Sequence, residues 1–189
     1  MTFNPPATEA TNSRLQRIRR VSRAMAWVTL AGALLVPATL MAVAAFEPSG
    51  LDDWLRSSVD ASGSAVLTPA TRIATLAIAS IPVILAVAVL MLLHKLFLGF
   101  SKGAVLVPAS GRILRHIGLI IAILAPLEIV LRAAASVVLS LPNPPGEREL
   151  AIGIGSSDLT TLIAGMLLIV LGWTLEEAAS VADENSRFV

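Results

Sequence analysis

Glu128 and Arg132 stand four residues apart inside the apolar stretch "IGLIIAILAPLEIVLRAAASVVLS", Ile117 to Ser140. On a helix this spacing puts both side chains on one face, with the acid N-terminal to the base, the more favourable order. Glu128 falls near the middle of the stretch. Each lone charge there costs about 2.5–3.5 kcal/mol on the insertion scale, so the two are expected to form an intramembrane ion pair that faces protein rather than lipid. Arg132 can also extend its head toward the nearer boundary. The pair has two readings. It either fixes the rotation of its helix and satisfies backbone opened by Pro126, or it forms a proton- or ligand-responsive site in a small cavity. Because the charges can neutralise each other, the structural role is favoured.

Other reactive residues are few. His94 and His116 lie at opposite ends of one polar segment without an acid–base constellation, and they suit an interface better than a metal or a catalytic role. The chain has no cysteine, which excludes disulfides, thiolate nucleophiles and most zinc sites. No HExxH motif occurs, and "GIGSSD" lacks the lysine and spacing of a phosphate loop. The expectation is a non-enzymatic protein with no catalytic residue, metal or cofactor.

The elements that carry these residues follow from composition. Of 189 residues, 56% are hydrophobic and 14% charged, with mean hydropathy +0.81, too oily for an ordinary soluble domain. A membrane helix needs about 20 mostly apolar residues. Four stretches qualify, at 24–46, 73–93, 117–140 and 159–175, separated by charged, Pro- or Gly-bearing segments. The fold class expected is an all-α polytopic membrane protein with four transmembrane helices. A basic segment, 1–23, precedes the 24–175 membrane domain, and an acidic tail, 176–189, follows it. Thr68 before Pro69 predicts the start of the second helix, and Ser157 or Asp158 the start of the fourth.

Lys and Arg give the orientation. Arg14, Arg17, Arg19, Arg20, Arg23, Lys95, Lys102, Arg112 and Arg115 fall on one side, against Arg56, Arg72 and Arg148 on the other. The positive-inside rule then makes both termini cytoplasmic in a bacterial inner membrane. The first apolar run exceeds a signal-peptide core, so it is expected to remain as an anchor despite "AVAA" from Ala42. Net charge is +1, which argues against direct nucleic-acid binding.

Pro37, Pro82 and Pro126 lie near the centres of three spans, where each frees a carbonyl one turn back. Small residues at Gly118 and Ala122, at Thr161, Gly165 and Gly172, and at Ala38 and Ala42 predict contact stripes between helices. In the second outer loop, "ELAIGIG" alternates apolar with small or polar residues and predicts a short β-strand or hairpin. Beyond Pro108 the pattern turns helical and places Arg112, Arg115 and His116 on one face. That basic face can pair with Glu176, Glu177, Asp183 and Glu184 of the acidic tail, or hold anionic lipid headgroups.

The stretch "FSKGAVLVPASGRILRHIG" resembles the loop signature of a bacterial membrane family, domain of unknown function 2975. The matching positions are Phe100, Lys102, Gly103, Pro108, Arg112, Leu114, Arg115, Ile117 and Gly118. The ending "EEAASVADENSRFV" is similar to that family's tail through Ala179, Glu184, Asn185 and Val189. Ala104 and Val107 depart from the polar or acidic and hydroxyl residues expected there. The resemblance implies four spans and no assigned activity. It also implies a genomic association with small helix-turn-helix transcription factors, hence a membrane partner for a cytoplasmic transcriptional regulator.

Two classes of function emerge. The first is a regulatory or accessory protein acting through its basic loop and acidic tail. The alternative is a subunit of a small transporter or channel that uses Glu128 and Arg132. Four spans make a thin pathway without homo-oligomerisation, and no inverted repeat is evident.

Overall fold

A hydrocarbon layer offers no partner to a bare peptide group, so a chain this apolar must bond its backbone within each span. The computed structural model does this with helices alone. It describes residues 7–46, 49–50, 52–53, 68–103, 107–144, 148 and 150–187. Four long helices carry the chain: α1 Ala7–Phe46, α2 Pro69–Ser101, α3 Pro108–Ser140 and α4 Ser156–Arg187. Each contains a stretch long and apolar enough to cross a bilayer: Gln16–Val43, Pro69–Ser101, Pro108–Ser140 and Ser156–Glu184. The protein is a multi-pass, all-helical membrane protein.

The helices overrun the apolar stretches that mark them in the sequence. The basic N-terminal segment is helical from Ala7 onward. The polar segment between the second and third spans shrinks to a link at 102–107, because α2 runs on to Ser101 and α3 begins at Pro108. Pro37, Pro82 and Pro126 all lie inside helices that continue through them.

Local chemistry sets the ends. At the start of α2 the Thr71 N–H donates to Thr68 Oγ1 at 3.2 Å, and the Thr68 N–H donates to Thr71 Oγ1 at 2.9 Å. This reciprocal cap is followed by Pro69, whose missing N–H costs nothing in the first turn. Gly103, at φ +91°, closes the other end of α2 in the left-handed region that glycine adopts without strain. α4 starts earlier than Ser157 or Asp158. The Gly155 carbonyl accepts from the N–H groups of Asp158 and Leu159, so Asp158 sits within the first turn.

Consecutive helices pack on one another, α3 on α4 most extensively, then α1 on α2, then α2 on α3. The arrangement is inside-out relative to a soluble protein. Many large apolar side chains are exposed, among them Leu34, Met41, Ile84, Val130 and Leu171, whereas the buried set is rich in Ala, Ser and Thr. Lipid tails solvate the former, and the latter let backbones approach.

The closest approach is between antiparallel α3 and α4. A Cβ added at Gly165 would lie 2.5 Å from Ala122 N, one at Gly118 2.7 Å from Gly165 O, one at Gly111 2.6 Å from Glu176 N, and one at Gly172 2.7 Å from Arg115 N. These glycines belong to two seven-residue stripes. Gly111, Gly118, Ala125, Arg132 and Leu139 run along α3, and Asp158, Gly165, Gly172 and Ala179 run along α4.

The strand or hairpin expected in "ELAIGIG" is not present among the described residues. Among the described residues there is no strand, and 150–155 are irregular. The Ala151 N–H, which a hairpin would need for its ladder, donates instead to Ser136 Oγ at 3.0 Å. The loop is therefore pinned to the side of α3.

Gly118→Val and Gly165→Val are each expected to destabilise the protein by about 1–3 kcal/mol, the usual cost of overpacking. Gly99→Ala, whose Cβ meets nothing within 4 Å, is expected to be neutral or slightly stabilising. Thermal unfolding of the purified protein in detergent distinguishes the two outcomes.

Candidate functional site

The stripes place Arg132 and Asp158 on the same seam, and there they meet. Arg132 Nη2 donates to Asp158 Oδ2 at 2.6 Å. The same oxygen accepts the Gly155 N–H at 2.8 Å, the backward half of a capping box. One carboxylate oxygen thus caps α4 and ties α4 to α3. The Asp158 side chain is 3% exposed, and its second oxygen, Oδ1, is buried with no hydrogen-bond partner among the described residues. Glu128, expected as the partner of Arg132, lies farther off: its Oε2 is 3.8 Å from Arg132 Nη1, and both side chains are about one-third exposed. The i,i+4 contact exists, but Asp158 is the nearer and better buried partner.

A second clamp closes the other end of the hairpin. Arg115 Nη1 is 3.2 Å from Glu176 Oε2, and Arg112 Nε is 3.9 Å from Glu176 Oε1. From Arg115 to Arg132 is 17 residues, and from Asp158 to Glu176 is 18. At 1.5 Å per residue the clamps lie about 26–27 Å apart, close to the roughly 30 Å of hydrocarbon in a bilayer. The Arg132–Asp158 pair therefore belongs at a membrane boundary, not at mid-depth. α3 extends about 12 Å past Arg132 to Ser140, while α4 has only just begun. Glu128, one turn inside the boundary, is the deeper charge.

The motif residues fall into two helix ends. Phe100 meets Phe97 edge-to-face with centroids 6.4 Å apart. Lys102 is the exposed C-cap of α2, and Gly103 follows it. Pro108 opens α3, Leu114 is half-buried, and Ile117 and Gly118 are buried in the seam. In the tail, Ala179 is buried and Glu184 exposed. Asn185 belongs to α4 by its backbone, and Val189 lies outside the described residues, as does Ala104. The loop and tail motifs meet through the Arg115–Glu176 clamp rather than through Glu184.

The histidines hold backbone. His94 Nδ1 lies 2.8 Å from the Ala26 carbonyl of α1 and His116 Nδ1 2.7 Å from the Arg112 carbonyl of its own helix. A carbonyl only accepts, so Nδ1 carries the proton in both. Among the described residues no three His, Asp or Glu side chains gather as a metal site would require.

Asp158→Asn is expected to lower stability more than Glu128→Gln does, since it leaves a partly buried guanidinium without its nearest counter-charge. Glu128→Gln is expected to cost less than about 1 kcal/mol. Unfolding curves of both variants in the same detergent check the order; a larger loss at Glu128 would contradict the assignment.

Comparison with known proteins adds one match. The sequence pattern of the family described as "Protein of unknown function (DUF2975)" matches residues 56–187, which includes α2, α3 and α4. No curated protein and no solved structure matches the chain. With the match spanning most of its length and containing both clamps, this four-helix chain belongs to the DUF2975 family.

Proposed function

We propose that this protein is an accessory, regulatory component of a bacterial inner membrane, with both termini cytoplasmic, and that it presents the end of α4 to a soluble partner. The observation that supports this reading is the continuity of α4 from Asp158 through Glu176 to Arg187. The part beyond Glu176 continues the same helix of a hairpin clamped at both ends. Trp173, Thr174, Glu177, Ala178 and Val181 line a shallow groove on its exposed side. Spacings of three, four and seven or eight residues give such a face the anchor pattern of helix-in-groove recognition. A cytoplasmic transcriptional regulator is the partner class proposed, and the chemistry of regulation is left to that partner.

A second reading, a subunit of a small transporter or channel, draws on Glu128 inside the boundary and the unpartnered Oδ1 of Asp158. Liposome flux lost on Glu128→Ala would favour it.

A photo-crosslinker at position 177 or 181, used in native membranes, is expected to trap a soluble DNA-binding protein, and Glu177→Arg is expected to reduce the yield several-fold. Adducts to lipid alone would overturn the first reading.

A further inference from the structure

Arg112 and Arg115, the cations on the basic face at the start of α3, are engaged by Glu176. Other cations at the same end are not. Arg20, Arg23, Lys95 and Lys102 are exposed, and none has an ion-pair partner among the described residues. Three contacts fix how the helices that carry them are aligned. His94 bonds to the Ala26 carbonyl, a Cβ on Gly32 would rest 3.6 Å from Leu90, and the Arg19 guanidinium lies 2.8 Å from where a Cβ on Gly103 would be. The residue numbers in these contacts sum to 120 or 122, so α1 and α2 run antiparallel in one register over their inner halves.

That register sets Lys102 level with Arg19 and Arg20, and Lys95 level with Trp27, about 10 Å deeper. Arg23 falls between the two levels. Gly103 matters here because a side chain would expel the Arg19 guanidinium that lies against the turn. Trp27 is 68% exposed, at the depth where indoles sit in the interfacial layer. Long lysine stems beside it can lie along apolar surface while their ammonium groups reach the headgroups.

We propose that this end of the α1–α2 seam binds the phosphate of an anionic phospholipid, with Arg19 and Arg20 above, Arg23 between, and Lys95 and Lys102 on the α2 side. Phosphate chemistry is shared by lipid headgroups and free phosphate. The depth of Lys95, beside Trp27 and apolar surface, favours a ligand that carries acyl chains.

The test uses the full-length protein in a neutral detergent, with bound molecules counted by native mass spectrometry during titration. The arms are phosphatidylglycerol, phosphatidylcholine and inorganic phosphate. Wild type is expected to bind phosphatidylglycerol at least tenfold more tightly than phosphatidylcholine and to show no matching response to phosphate. Lys95→Gln and Lys102→Gln are each expected to weaken phosphatidylglycerol binding about fivefold, the equivalent of about 1 kcal/mol per basic residue. Both lysines are exposed, so neither change should disturb folding, whereas Arg19→Gln can also loosen the α2 turn. Equal affinity for the two lipids, a phosphate response as strong as the lipid's, or unchanged binding in both lysine variants would overturn the proposal.

Discussion

A guanidinium on α3 and a carboxylate on α4, 26 residues apart in sequence, meet at 2.6 Å, and the geometry of the α3–α4 hairpin depends on that meeting. Asp158 is buried, so without Arg132 it would be an uncompensated anion in a medium of low dielectric. Arg132 lies on a stripe otherwise made of Gly, Ala and Leu, and among the described residues its other near acid is Glu128 at 3.8 Å. Asp158 also accepts the Gly155 N–H, so the ion pair and the start of α4 form together. The point at which α4 begins follows from one oxygen atom.

From that anchor the glycine seam runs inward. Ion pairs alone tolerate sliding, because long side chains can follow a moving partner. Backbone contact does not. Where Gly118 faces Gly165 and Ile169, and Gly165 faces Ala122, a shift of one residue would bring a side chain against a main chain. Packing therefore fixes the register, and the charges at its two ends select the antiparallel pairing that leaves neither acid without a base. Without a hydrophobic driving force between helices in lipid, close packing and polar contacts are what remain to hold them. α1 and α2 use the same means more sparingly: a histidine on a carbonyl, a leucine over Gly32, and an arginine against a glycine turn.

Much of this was legible in the sequence because it is local. Four apolar runs, the Thr68–Pro69 start and the spacing of Gly165 and Gly172 depend only on neighbours within a few positions. The choice of Arg132's partner does not. Glu128 is visible at i,i+4, whereas Asp158 becomes a candidate only once the α3–α4 register is known. One signal was nevertheless present. Arg132 continues the stripe of Gly111, Gly118 and Ala125, and Asp158 begins that of Gly165, Gly172 and Ala179. Two seven-residue stripes that each contain one charge, of opposite sign, point to a shared seam. The strand expected at 150–155 failed for a related reason. Alternation describes a face, but whether a strand forms depends on a partner edge, and here the Ala151 N–H goes to Ser136 of α3 instead. The helices run past the apolar stretches because hydropathy marks where lipid is, not where a helix ends.

The protein's lack of cysteine makes depth directly measurable, since any cysteine introduced is unique. Single cysteines along α4, spin-labelled in bilayers, can be tested for collision with oxygen and with a water-soluble relaxant. Positions 157 and 177, outside the two clamps, should favour the water-soluble agent, and positions 163, 167 and 170 should favour oxygen, with the crossover near Asp158 and Glu176. If position 157 proves as lipid-buried as 167, the Arg132–Asp158 pair does not mark a membrane boundary and the account is wrong.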